Sequence, residues 1–585
     1  MSAHRASTIG AFLLFTASAL AQPSIRADAG VVNASSYAAD IAQGSWFAVI
    51  GSAMGPANIS IYSGPLPYPT ELSGTRVTFT PAAGGTPVEA RIWYTLATQI
   101  AGLLPSSTSP GDYDARVIYN NQTSPLRRVR VVARNFGFAT AAQNGSGPAQ
   151  ATNASLNGGI SLVRFTTGSV SFNGRTWQYR PAYPDESLVI WGTGSGPDAQ
   201  SDLNGGTSGD QTAAGGSRVI VGGMEITPAY AGRSSGSPGL DQINFTLPPN
   251  VSTGCTVSLQ VRNGGRLSNL GSLAIASRGS ATCRHPFLTE QQLRSLDEGG
   301  TLTFGAFSVS KTDISLSVPG IGSFDLVSED VGGAFSRFGA DSVAFIGGLS
   351  VAQIGDCSVN RFRGGLNDVL SAPTVRALHA GSQLVLNGPG VSNRAIPVDE
   401  DNFYGVNFFT PGIAGVIPPS GSPTLGGGTY TLTGSGGREV GAFNAQTSFP
   451  ASFTWTNRGA ISTIMRNQPL PVQWTGGGTG AGAVVTVVGL SGTQVGGTLD
   501  DPILEVAVFV CTSAASAGQL TVPAAVTGAL PPASGDITAN SIALLGVSAD
   551  PAPNVGQFTA PLLAGGTAAG QFTYSWFISK SVSVQ

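Results

Sequence analysis

Apolar residues recur along much of the chain with a period of two. Val77 and Phe79 alternate with Arg76, Thr78 and Thr80, and Val257, Leu259 and Val261 alternate with Ser258, Gln260 and Arg262. Side chains two apart share one face of a strand, so the pattern predicts antiparallel strands with one face on a core and the other in water. The alternation returns at Ile314, Leu316 and Val318, at Tyr430 and Leu432, and at Phe453 and Trp455. Turn residues such as Asn120-Asn121 and Asn263-Gly264-Gly265 break the runs into short strands. One helix interrupts them. Thr289 three residues ahead of Gln292 forms a capping box, Leu293 and Leu296 supply an apolar face, and Gly299-Gly300 stop it.

The first half repeats itself at a period of about 140 residues, which marks domain boundaries without reference to any other protein. Trp46-Phe47-Ala48-Val49-Ile50-Gly51 with Gly55-Pro56 returns as Ser187-Leu188-Val189-Ile190-Trp191-Gly192 with Gly196-Pro197. Gly74-Thr75-Arg76-Val77 returns as Gly216-Ser217-Arg218-Val219, and Gln99-Ile100 with Leu104-Pro105 as Gln242-Ile243 with Leu247-Pro248. Asn33-Ala34-Ser35 returns as Asn153-Ala154-Ser155. The order of landmarks is kept. Strand density and unit length suit a sandwich, so the expected fold class is all-β, with tandem immunoglobulin-like β-sandwich domains. The expected units are a sandwich at 31–134, a second at 150–277, a β-rich domain at 300–458 and a sandwich-like domain at 459–585.

These motifs, with Tyr94, Trp191-Gly192-Thr193-Gly194, Tyr230-Ala231-Gly232 and Gly239-Leu240-Asp241-Gln242-Ile243-Asn244, resemble the Solibacter-type C-terminal domain family of exported bacterial proteins. The resemblance covers about residues 31 to 277. It implies a pair of immunoglobulin-like domains outside the cytoplasm and carries no catalytic residues with it.

Composition adds the compartment. Arg5, the apolar stretch Ile9 to Ala21 and the small-x-small pattern Ala19-Leu20-Ala21 predict a cleaved signal peptide at 1–21 and a secreted or cell-surface location. No later segment reaches the roughly 20 apolar residues of a membrane span. Charged residues are only 10% of the chain and the net charge is −3, so there is no basic field for nucleic acid and the surface is built from Ser, Thr, Asn, Gln and Gly. Four cysteines in an exported chain predict two disulfides. Three connectivities exist; proximity in sequence favours Cys255 with Cys283, leaving Cys357 for Cys511.

Candidate chemistry is sparse. Gly232-Arg233-Ser234-Ser235-Gly236 fits a nucleophile-elbow pattern, but Pro238 and a strand follow where a helix is needed. Gly192-Thr193-Gly194-Ser195-Gly196 opens no helix that could cradle a phosphate and reads as a turn. The acidic clusters Asp399-Glu400-Asp401 and Asp500-Asp501 read as solvated turn acids and no cofactor is expected; they are also the only hard-cation candidates, so calcium on Asp399 and Asp401 is the alternative. The tryptophans, including Trp46, Trp93, Trp191, Trp455 and Trp474, sit in strand patterns and read as core, with sugar stacking as the alternative for any that is exposed. The connection between Tyr230 and Gln242 is seven residues longer than its counterpart between Tyr94 and Gln99, and it holds Arg233, Ser234, Ser235 and Asp241. That makes these four the expected binding loop, since the sandwich does without the extra length in its first copy. The function expected is a non-catalytic binding or structural protein presenting loops to an extracellular glycan, matrix or surface protein. The alternative is a secreted hydrolase with a carboxylate site in residues 300–585.

Overall fold

The period-two runs are strands. In Thr75–Pro81, Val77 and Phe79 are fully buried while Arg76, Thr78 and Thr80 are half-exposed, and the strand pairs antiparallel with Gly111–Tyr119. The computed structural model describes residues 22–585 other than 28–29, 155–160, 173, 206–208, 286–287, 319–321, 341–356, 365–375, 411–419, 423, 479–481, 498–501, 536–540 and 553–554. The expected signal peptide and Asp500-Asp501 lie outside the described residues.

The first sandwich packs two sheets face to face. One runs Ser24–Ile25, Trp46–Ser52, Gln99–Leu103, Arg91–Thr95, Ser60–Ile61, and the other Ile41–Ala42, Arg127–Val132, Gly111–Tyr119, Thr75–Pro81, Val88–Glu89. Phe47, Val49 and Ile100 from the first sheet meet Val77, Phe79 and Val117 from the second, with the Phe47 and Phe79 rings edge-on at 5.2 Å. The second sandwich reproduces this register. Ile50 opposes Gln99 in the first unit, and Trp191 opposes Gln242 in the second. Trp46 opposes Leu103, and Ser187 opposes Thr246. The sequence repeat is therefore a repeat of hydrogen-bonded ladders. Cys255 and Cys283 are bonded at the edge of this second core.

The helix Glu290–Asp297 has its capping box: Gln292 N donates to Thr289 Oγ1, and Thr289 N donates to Gln292 Oε1. Leu293 and Leu296 bury in the second sandwich's core. Asp297 accepts the amides of Phe165 and Thr166 at 3.1 and 2.8 Å, which fastens the helix to that sandwich.

Residues 300–458 and 459–585, expected as separate domains, contribute strands to one sheet. Leu302–Val318 and Gly322–Phe338 form a long hairpin, and Thr567–Ser581 lies parallel beside the first of them, from Phe304 opposite Ala569 to Ser315 opposite Lys580. Phe307, Phe335 and Phe443 from one side of residue 459 pack with Phe558 from the other in one core. Cys357 and Cys511 are bonded across directly opposed positions of neighbouring strands. Among the described residues no helix is long and apolar enough to cross a membrane.

Candidate binding site

Five aromatic rings form a row on the outer face of the first sandwich. Tyr62 and Tyr68 lie 6.0 Å apart between centroids, Tyr68 and Trp46 5.3 Å, Trp46 and Trp93 5.5 Å, and Trp93 and Tyr94 5.4 Å. Interplanar angles of 54° to 74° make these edge-on or tilted contacts, the favoured geometry for ring quadrupoles. In Arg91–Thr95 the side chains of Ile92 and Thr95 are fully buried, and Trp93, at a register shift between Ile92 and Tyr94, has 41% of its surface exposed. The Tyr62 hydroxyl donates to Pro65 O at 2.7 Å, and Arg91 Nη1 donates to Tyr68 O at 3.0 Å, so the loop carrying both tyrosines is held. Burial raises the Tyr68 and Tyr94 hydroxyls above the ordinary phenol value, so these rings stay neutral at physiological pH. Trp455 and Trp474 are buried, as their strand positions imply. Trp93 is the departure from the expectation that the tryptophans are core.

The fold does not require this row. Tyr94 opposes Ala101 and Tyr230 opposes Asn244, so the register that aligns Gln99 with Gln242 also aligns the two tyrosines. The residue before Tyr230 is Ala229, exposed like Trp93, and the counterpart of Trp46 is Ser187. The second sandwich closes its core without either tryptophan.

The expected binding loop is corrected by the structure. Residues 231–233 and 241 continue the strands Tyr230–Arg233 and Asp241–Thr246, and Arg233 opposes Asp241 as the last rung of the ladder. Arg233 Nη1 donates to Asp241 Oδ1 at 2.8 Å and Nη2 to Gly196 O at 3.0 Å, while Ser195 N donates to Asp241 Oδ2 at 2.7 Å. Both side chains are fully buried and Ser234 nearly so, which leaves only Ser235 of the four open to solvent. Burial raises the Asp241 carboxyl against the pull of Arg233. The Gly-x-Ser-x-Gly serine, Ser234, thus lies at the end of a strand in a hairpin.

The same segment lies at the junction of the two sandwiches. Thr193 Oγ1 accepts from Trp46 N at 2.8 Å and donates to Gly239 O at 2.6 Å. Ser106 N and Oγ donate to the buried Asp202 at 2.6 and 3.0 Å, and Asn33 Nδ2 donates to Thr193 O at 3.2 Å. Arg266 pairs with Asp40 at 3.0 Å. Burial raises Asp202, partly offset by the Ser106 bonds.

Asp399 and Asp401, the candidate calcium ligands, lie in a turn. Asp399 Oδ1 accepts the amides of Asp401 and Phe403 at 3.0 and 2.8 Å, so one oxygen is used in closing the turn, and Asp401 points into solvent. Among the described residues no group of three His, Cys, Asp or Glu could hold a metal ion. Two clefts in the second half, of about 430 and 420 Å³, are lined by Trp474, Thr475 and Ser516 with glycines and alanines, and by Arg394, Asn407, Phe408 and Thr424 with small residues. Neither lining includes a carboxylate.

No family model matches the chain, and no curated protein matches it. Among solved structures it is similar to SGBP-B from a complex xyloglucan utilization locus in Bacteroides uniformis, at 10% identity over 66% of this chain and 85% of that one, with a TM-score of 0.17. It is also similar to SGBP-B of the Bacteroides ovatus mixed-linkage glucan utilization locus in complex with a mixed-linkage heptasaccharide, at 11% identity over 81% and 94%, with a TM-score of 0.12. The FN1–FN3 domains of chicken CNTN1 match at 9% identity over 68% and 91%, with a TM-score of 0.11. Scores this low carry no argument about function.

Proposed function

We propose that this is an exported, non-catalytic binding protein that holds an uncharged extracellular polysaccharide on the aromatic row of its first sandwich. The observation that carries the reading is Trp93, 41% exposed at the position where the second sandwich has Ala229. Exposed apolar surface forfeits roughly 25 cal/mol per Å² that burial would have supplied. An indole held wet at a position the fold fills elsewhere with alanine is therefore best explained by a ligand that covers it. Sugar rings present C–H faces that stack on aromatic rings, and their hydroxyls suit a surface of serines and backbone amides. A chain with 10% charged residues and a net charge of −3 has no overall positive field to draw in a polyanion. Two disulfides accord with an oxidising compartment outside the cytoplasm, where such polymers are met.

Native gel electrophoresis of the full mature chain through gels containing xyloglucan, mixed-linkage β-glucan or polygalacturonate tests this. Retardation by at least one neutral glucan and not by polygalacturonate is expected. Equal mobility in all gels, or retardation by the polyanion alone, would remove the neutral-glycan reading.

A further inference from the structure

The aromatic row does not end at the edge of the first sandwich. The hairpin tip between Arg233 and Asp241 comes across from the second sandwich and meets it. Gly239 has φ +72°, and a Cβ built there would lie 2.6 Å from Leu103 Cδ1 and 2.8 Å from both Trp46 Cδ1 and Nε1. Only glycine allows the backbone to approach the indole this closely in this conformation. Gly205, which caps a short helical turn of the second sandwich, accepts Gly236 N at 2.7 Å, and its own Cβ position is 3.1 Å from Leu66 Cδ1 in the loop that carries Tyr68. The tip therefore touches the row at Trp46, and Gly205, which it is bonded to, lies beside Leu66 in the loop that carries Tyr62 and Tyr68.

The tip is held on both sides. Ser234 N donates to Leu240 O at 2.8 Å above the Arg233–Asp241 rung, and the Thr193 hydroxyl bonds Gly239 O while accepting Trp46 N. One hydroxyl thus ties the tip to the backbone of the tryptophan beneath it. Pro238 and Gly239 are buried against the first sandwich, whereas Ser235 and Gly236 are exposed and Ser237 is half-exposed. The tip shows a ligand two hydroxyls and a glycine backbone, and no charge.

We infer that this hairpin tip, seated on Trp46, is the second wall of the aromatic site, so that one uncharged polysaccharide chain lies across both sandwiches, stacked on Trp93 and hydrogen-bonded by the Ser235–Ser237 edge. The inference rests on the function proposed above. Occupancy by a neutral chain follows from the chemistry of the two walls: aromatic faces on one, uncharged donors and acceptors on the other, and Arg91 already engaged with Tyr68 O. The extra length of this connection relative to its counterpart in the first sandwich then has a use, and the buried ion pair fixes where the tip stands.

The test uses the full chain and mixed-linkage β-glucan, with affinity measured for wild type, Ser235→Arg, Ser237→Arg and Trp93→Ala. Neither serine side chain fills the core, so thermal midpoints should stay within a degree or two of wild type. The expected result is at least tenfold weaker binding by each arginine variant as well as by Trp93→Ala. Weakening by Trp93→Ala with wild-type affinity in both arginine variants would overturn the two-walled site and leave the site on the first sandwich. Undiminished binding by Trp93→Ala, or no binding by wild type to this glucan or to xyloglucan, would overturn the proposed function and this inference with it.

Discussion

At the scale of single residues, burial decides what each ionisable group can do. Burial pushes the Asp550 carboxyl up to about 6, against the hydrogen bonds it accepts from Ser548 Oγ at 3.1 Å and Thr486 Oγ1 at 3.2 Å, which pull it down. A carboxyl whose folded value is raised binds its proton more tightly in the folded state. Its contribution to stability is full below about pH 4 and is lost as the pH rises through 6. The loss at pH 7 is at most about 3 kcal/mol, less in proportion to the solvent that reaches the group. Asp550→Asn should match wild type near pH 4 and become the more stable of the two as pH rises to 7, measured as the difference between their thermal midpoints across that range. A difference that does not change with pH would show that Asp550 is ionised throughout. Asp297 and Asp202 differ in kind, since backbone amides partly offset the burial that raises them.

At the scale of elements, the hairpin that ends in Arg233 and Asp241 carries the sharpest energetic prediction. Asp241→Ala leaves a guanidinium fully buried beside one carbonyl, which should cost about 3 to 5 kcal/mol. Replacing both partners, as Arg233→Met with Asp241→Leu, removes the uncompensated charge and should recover most of that loss. Calorimetry of the full chain should show the loss and recovery in the transition of the sandwich pair. A single variant as stable as wild type would mean that water reaches Arg233. Much of this level was legible in the sequence: the period-two runs, the capping box at Thr289 and the register of the repeat all appear where the pattern put them. The hairpin was misplaced because its opposite charges looked like loop residues. Placed across a short Ser-Gly-Pro turn, they form one more rung of a ladder, and that pairing becomes visible only when the strands are known to be neighbours. Trp93 was not legible, because it sits at a register shift between Ile92 and Tyr94 where strict alternation breaks.

At the scale of the whole molecule, the two sandwiches act as one body. Asp202 with Ser106, Asn33 with Thr193, and Arg266 with Asp40 all cross their junction. A sequence repeat identifies the units but not the bonds between them: Asn33 recurs as Asn153, yet Ser106, which follows Leu104-Pro105, falls where the second copy has Pro249. The second half was the least legible, because Thr567–Ser581 returns to pair with Leu302–Val318 across more than 200 residues, and no local pattern announces a contact of that range. Its bond between Cys357 and Cys511 closes a loop of 154 residues, worth on the order of 4 to 5 kcal/mol on the loop-entropy model. The proposed site lies on the sandwich pair, while most of the second half packs in a core of its own, joined to the second sandwich's core through Phe304 and Phe338. The measurement that bears most directly on this account is titration calorimetry of a mixed-linkage glucan heptasaccharide into the full chain and into a Trp46→Ala, Trp93→Ala double variant. The account predicts saturable binding to wild type and at least a hundredfold loss in the variant, about 2.7 kcal/mol, with the second half's unfolding transition unchanged. Equal affinity in the two proteins would contradict it.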